Sequence, residues 1–181
     1  MIKNTKDFRE YLKKADAGDL NIFEEKYNSI KKIKEFGDGI KYLKLVAKQN
    51  DKVAQYYLGF YSETKSEALK WYKLSAKQGH IEAQFQLGSL YEFTRPKLFF
   101  YWNKLAADQN HTIAPLIVGI CFLNGYGTKQ NFKHAVKYFK KIPFLTEMFG
   151  SQAQYYLGYC YEKGLGVKKN IKLAIENYKN V

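Results

Sequence analysis

The chain has 181 residues, enough for one sizeable core, and its 30 basic and 17 acidic side chains give a formal charge of +13. All basic residues except Arg9 and Arg95 are lysine, a hydrated point charge without the flat bidentate fork that reads phosphates and bases; the excess favours solubility and acidic partners over a nucleic-acid reader. Met1 to Asp7 hold no apolar signal core and no stretch approaches a membrane span, so the expected location is the cytoplasm.

The first elements are weakly patterned. Tyr11, Leu12 and Ala15, closed by Ala17-Gly18-Asp19, resemble the end of one helix; Phe23, Tyr27 and Ile30 predict a divergent second, broken at Gly37-Asp38-Gly39. Tyr42, Leu43 and Ala47 predict a third that ends at Gln49-Asn50-Asp51.

From there a repeat emerges. Ala54-Leu58-Gly59, Ala83-Leu87-Gly88, Ala114-Val118-Gly119 and Ala153-Leu157-Gly158 share one spacing and recur about 30 to 40 residues apart, the period of a stacked helical array. Each alanine opens an A helix, whose apolar face continues through Tyr61, Tyr91, Phe122 and Tyr161. Each A helix is followed by a B helix with large rings and small residues: Ala68, Trp71, Tyr72 and Ala76; Phe100, Tyr101, Trp102 and Ala106; Ala135, Tyr138 and Phe139; Ala174 and Tyr178. Small residues let the helices approach while rings fill the space between layers.

Loop chemistry agrees with this division. Gly125-Tyr126-Gly127 and Gly164-Leu165-Gly166 stop the last two A helices, and Asn131 and Asn170 stand where an N-cap would start the next B helix. The two earlier loops are cut short, around Glu63-Thr64-Lys65 and Thr94-Arg95-Pro96. Gln78-Gly79-His80 and Gln109-Asn110-His111 join successive repeats, with His80 and His111 read as residues favourable at a helix C-terminus. Pro143 and the segment from Phe144 to Gly150 mark an insertion before the fourth repeat.

Taken in order, A-x-x-x-L-G-x-x-Y, G-x-G-V and A-x-x-W-Y-x-x-A-A-x-x-G resemble the Sel-1-like repeat family, a relative of the tetratricopeptide repeat. The resemblance is strong over residues 54–181 and weak over 8–51; Ser62 replaces an aromatic, and the first two clear repeats lack the G-x-G-V loop. It implies an all-α, right-handed superhelical solenoid of antiparallel helix pairs, a single domain over residues 1–181. Residues 1–51 form its divergent part, and four clear repeats start near 53, 82, 113 and 152. It also implies an adaptor or scaffold role.

Positions 3, 7 and 10 of each A helix face away from its core side. In the related tetratricopeptide fold this face lines the concave groove, which places Tyr56, Phe60 and Glu63; Phe85, Ser89 and Glu92; Leu116, Ile120 and Leu123; and Tyr155, Tyr159 and Glu162 at the expected partner-binding site. A soluble protein rarely exposes so many large apolar groups without using them. The alternative is that a tight superhelix packs these rings against neighbouring A helices, and the third repeat favours it. No lysine or arginine falls within 53–63, 82–92, 113–123 or 152–162, so the positive charge is expected on the outer B helices.

Chemistry for catalysis is missing. There is no nucleotide-binding loop, nucleophile elbow or zinc-protease helix, and His80, His111 and His134 do not stand at ligand spacing from Cys121 or Cys160. The two cysteines occupy equivalent repeat positions, too far apart for a disulfide, and read as small buried apolar residues. The expectation is a non-enzymatic scaffold with no cofactor and no metal, holding a peptide or protein, an acidic one among them. One alternative is an immunity protein that neutralises a secreted toxin, its charge speeding capture of an acidic target. Another is binding of nucleic acid or an anionic membrane through the lysine-rich outer helices.

Overall fold

A computed structural model describes residues 39–143 and 147–179; the helices expected around Tyr11, Leu12 and Ala15 and around Phe23, Tyr27 and Ile30 lie outside the described residues. The helices are α1 (Gly39–Lys48), α2 (Lys52–Phe60), α3 (Lys65–Lys77), α4 (Ile81–Leu90), α5 (Pro96–Asp108), α6 (Ala114–Asn124), α7 (Phe132–Phe139), α8 (Glu147–Lys163) and α9 (Ile171–Tyr178). Among the described residues there is no strand. Helices α2, α4, α6 and α8 are the A helices; α3, α5, α7 and α9 are the B helices.

Contacts divide the chain into two compact units, which meet in sequence between Ala83 and Gln84. In the first, Leu43, Val46 and Ala47 of α1 pack with Val53, Ala54, Tyr57 and Leu58 of α2. In the second, Leu87, Val118, Phe139, Leu157 and Ala174 are buried, and α6 pairs with α7 and α8 with α9.

The repeated alanine and glycine have separate tasks. Ala54, Ala83, Ala114 and Ala153 are fully buried. At Gly59 an added Cβ would meet the Tyr72 ring at 2.6 Å, and at Gly158 it would meet Tyr178 at 2.7 Å; Gly119 lies as close to Phe139. The glycine is therefore the socket in which the ring of the partner B helix rests. Gly88 faces Asn103 instead, a wholly buried amide whose Nδ2 donates to the Phe99 carbonyl at 2.9 Å and whose Oδ1 has no partner.

In the first three repeats the helix start is tied to the same alanine. Three residues before it, Asp51 accepts the amides of Val53 and Ala54 at 3.0 Å, His80 Nδ1 accepts that of Ala83 at 3.2 Å, and His111 Nδ1 accepts that of Ala114 at 3.1 Å. The two histidine rings thus cap the helix that follows them, whereas the sequence suggested a role at the end of the helix before. Their backbone amides serve that end, donating to the Ser75 and Ala106 carbonyls. A ring nitrogen that accepts carries no proton, so it can satisfy an orphan amide as an aspartate does. Asn131 and Asn170 cap α7 and α9 as expected, each through Oδ1.

The G-x-G loops have a structural reason for both glycines. Gly125 and Gly164 close their helices at φ 73°, and Gly127 and Gly166 repeat the left-handed conformation at φ 70°. A Cβ on Gly127 would collide with the Pro96 carbonyl, and one on Gly166 with the backbone of Phe132. Pro96 and Phe132 are the first residues of α5 and α7, so each loop seats itself on the start of the preceding B helix. The insertion before the fourth repeat is partly helical: Glu147 to Gly150 lengthen α8 to 17 residues.

Candidate interaction site

The twelve expected groove positions separate into four groups. Phe60 and Tyr155 are each 49% exposed, Ser89 and Glu63 are also exposed, and Tyr159 and Glu162 are half-buried. Tyr56 and Phe85 are half-buried, and each stacks on the histidine of the next joint: Tyr56 on His80 at 4.7 Å, Phe85 on His111 at 4.2 Å. Leu116 and Leu123 are buried. They belong to the packed interior and not to a free surface, because α6 is apolar on every side and packs against α5, α7 and α8.

Within the first unit, the structure brings Tyr56 and Phe60 together, with ring centroids 6.4 Å apart. In the second, Tyr155 leans on Tyr156 and Tyr178, and Glu162 accepts the Tyr178 hydroxyl at 2.9 Å while pairing with Lys163 at 2.6 Å. Those hydrogen bonds, from Lys163 first and then Tyr178, hold the Glu162 carboxyl below its usual range. Burial first, then the bond to Glu162, pushes the Tyr178 hydroxyl up to about 12.

Glu92 and Ile120 meet in a different setting. They line one cavity of about 350 Å³ between the end of α4, α5, α6 and the loop after α6, together with Phe99, Ile117, Cys121 and Tyr126, with Asn124 and Gly125 beside them. The Tyr126 hydroxyl donates to the Glu92 carbonyl, and the Phe99 and Tyr126 rings meet edge to face at 5.8 Å. Cys121 and Cys160 are buried free thiols. Burial raises Cys121 to about 12, with a further push from the charge of Glu92, and burial alone raises Cys160 to about 11.

Two polar features behind these faces escaped the pattern of apolar positions. Gln55 and Gln84 are buried, and each carbonyl oxygen accepts an amide from the end of the following B helix, from Gln78 at 2.8 Å and from Gln109 at 2.7 Å. Their signal was the recurring Ala-Gln dipeptide together with the glutamine that opens each joint. The second feature is Asp108. It accepts Lys104 at 2.6 Å and the Tyr138 hydroxyl at 2.7 Å, with Lys141 at 3.6 Å, tying α5 to α7. Partial burial raises its pKa, but the hydrogen bonds from Lys104 and Tyr138 and the two lysine charges outweigh that and leave it lowered.

Among the described residues no group of three His, Cys, Asp or Glu side chains is placed to hold a metal, and no helix is long and apolar enough to cross a membrane.

The chain is similar to a Sel1 repeat protein from Oxalobacter formigenes, at 28% identity and a TM-score of 0.73 over 83% of this chain and 66% of that one. It is also similar to c5321, described as a protective antigen of uropathogenic Escherichia coli with an SLR fold, at 25% identity and a TM-score of 0.63 over 78% of this chain and 36% of that one. The chain thus spans just under two thirds of the first relative and little more than a third of the second. No curated protein matches it significantly. The all-α class of helix-pair solenoid expected from the repeat is the class of these structures. The family model described as Sel1 repeat matches residues 52–80, 81–93, 116–142 and 151–179, more than half of the sequence. With four matched repeats and this fold, the chain belongs to the Sel1 repeat family.

Proposed function

We propose that this chain is a non-enzymatic scaffold that holds a peptide or protein segment against the outward faces of its A helices. Sel1 repeat proteins are generally protein-interaction scaffolds, and the finer assignment here rests on one observation. Phe60 and Tyr155 stand half out of their units in the stretches 53–63 and 152–162, which contain no lysine or arginine, with Tyr56 beside the first and Tyr178 beside the second. Large rings that remain in water at such positions favour a partner that covers them, and tyrosine is a preferred contact residue.

Phe60 and Tyr155 are the informative residues to change. Tyr56 and Phe85 also stack on joint histidines, so losing them would disturb the fold as well as the face. The test compares wild type with the Phe60→Ser, Tyr155→Ser double variant as bait in the native cell, with crosslinked partners quantified by mass spectrometry. A partner kept by wild type and lost from a double variant of unchanged helical circular dichroism supports the reading. An unchanged partner set overturns it.

A further inference from the structure

The cavity beside Glu92 carries a chemistry that the exposed rings do not. Its walls are apolar at Phe99, Ile117 and Ile120, and Glu92 is its single acidic side chain. In a chain of charge +13, Glu92 forms no ion pair among the described residues. Glu92 lines the cavity together with the buried Cys121 thiol, on which its charge adds to the effect of burial. The Tyr126 hydroxyl holds the Glu92 backbone, which fixes the loop against the end of α4.

An apolar slot with one carboxylate and an aromatic wall selects its occupant. A purely apolar side chain would cover Glu92 and leave its charge unpaired, at a cost. A carboxylate would be repelled. An arginine meets each wall at once: its alkyl stem lies on Ile117 and Ile120, its planar head pairs two-fold with a carboxylate, and the same plane stacks on a tyrosine ring. At about 350 Å³ the space stands at the small end of ligand pockets, which suits one side chain with its backbone. We propose that this cavity takes an arginine side chain of the partner segment and so acts as its specificity pocket. The proposal rests on the scaffold reading above and names what that partner must carry.

The probe is the tripeptide acetyl-Ala-Arg-Ala-amide, titrated into the full chain with labelled isoleucine methyls and followed by NMR; the same peptide with citrulline in place of arginine is the neutral control. The expected result is saturable shifts of the Ile117 and Ile120 methyls, with binding weaker for citrulline by about tenfold or more, the loss expected when a charged hydrogen-bonded pair is removed. Glu92→Gln should weaken the arginine peptide to the same extent, and Ile120→Trp should block it by filling the slot, while both spectra stay dispersed.

Absence of saturable shifts at these methyls, equal binding of citrulline, or full binding by Glu92→Gln overturns the pocket. The Phe60→Ser, Tyr155→Ser variant keeps the pocket and should bind the tripeptide as wild type does. A cellular partner lost from that variant but fully retained by Glu92→Gln would sink the pocket and leave the scaffold reading standing. Tripeptide binding with no partner dependent on Phe60 and Tyr155 would sink the broader reading and leave the arginine site.

Discussion

Phe85 and His111 lie face to face, their ring centroids 4.2 Å apart and their planes 20° from parallel, while the same His111 ring accepts the Ala114 amide through Nδ1. One imidazole thus steadies a ring of the candidate face and starts the next helix. His80 repeats the arrangement with Tyr56 and Ala83.

His111→Ala should therefore lose both a cap and a stacked ring, about 1–3 kcal/mol together. His111→Asn restores a capping oxygen without the ring and should recover roughly half. Urea unfolding of the three proteins checks this order. Equal losses for alanine and asparagine would show that the cap contributes nothing.

Glycines of similar backbone angle should differ in cost. Gly79 has φ 81° and open space around an added Cβ, so Gly79→Ala should lose only the left-handed penalty, about 1–2 kcal/mol. Gly127→Ala adds a collision with the Pro96 carbonyl and should lose about 2–5 kcal/mol. Melting temperatures of the two variants decide; similar values would mean that the loop gives way freely.

Acid should loosen the tie between α5 and α7. The folded pKa of Asp108 lies below the unfolded value of about 3.9, so its stabilising effect is complete well above that value and is lost as pH falls through the folded pKa. Asp108→Asn should be less stable than wild type near neutrality, and the gap should close as the pH falls below the unfolded carboxylate value and through the folded one. A gap independent of pH would remove charge from the explanation.

Neither thiol should react in the folded state. Cys121 and Cys160 are buried and raised to about 12 and about 11, so thiolate is scarce at pH 8 and little of either side chain meets solvent. A dithiol-exchange dye should label neither thiol in native buffer and both in guanidinium. Rapid native labelling of Cys121 would mean that the cavity opens widely.

Much of the fold was legible because it repeats. Ala54, Ala83, Ala114 and Ala153 recur at a helical landmark, and Asn131 and Asn170 stand at the helix starts they cap. The joints were legible as stops but not as starts, since whether a histidine ring turns towards the preceding or the following helix depends on φ and χ angles that no spacing encodes. For the candidate site, periodicity placed Leu116 with Tyr56 and Phe85, yet α6 lies among neighbours on several sides and buries it. A helix with no polar face carries no phase for a sequence reading to find. The pairing of Glu92 with Ile120 likewise joins different repeats, and it follows from how α4, α5 and α6 pack rather than from either repeat alone.

The seating of Gly127 on Pro96 and of Gly166 on Phe132 makes the third and fourth repeats particular about what precedes them. Each fits a predecessor whose B helix leaves its first peptide bare enough for a loop to rest on. These modules therefore have an order. Shuffling or duplicating them, in the laboratory or in descent, would preserve the array only where that seam is carried along with the repeat.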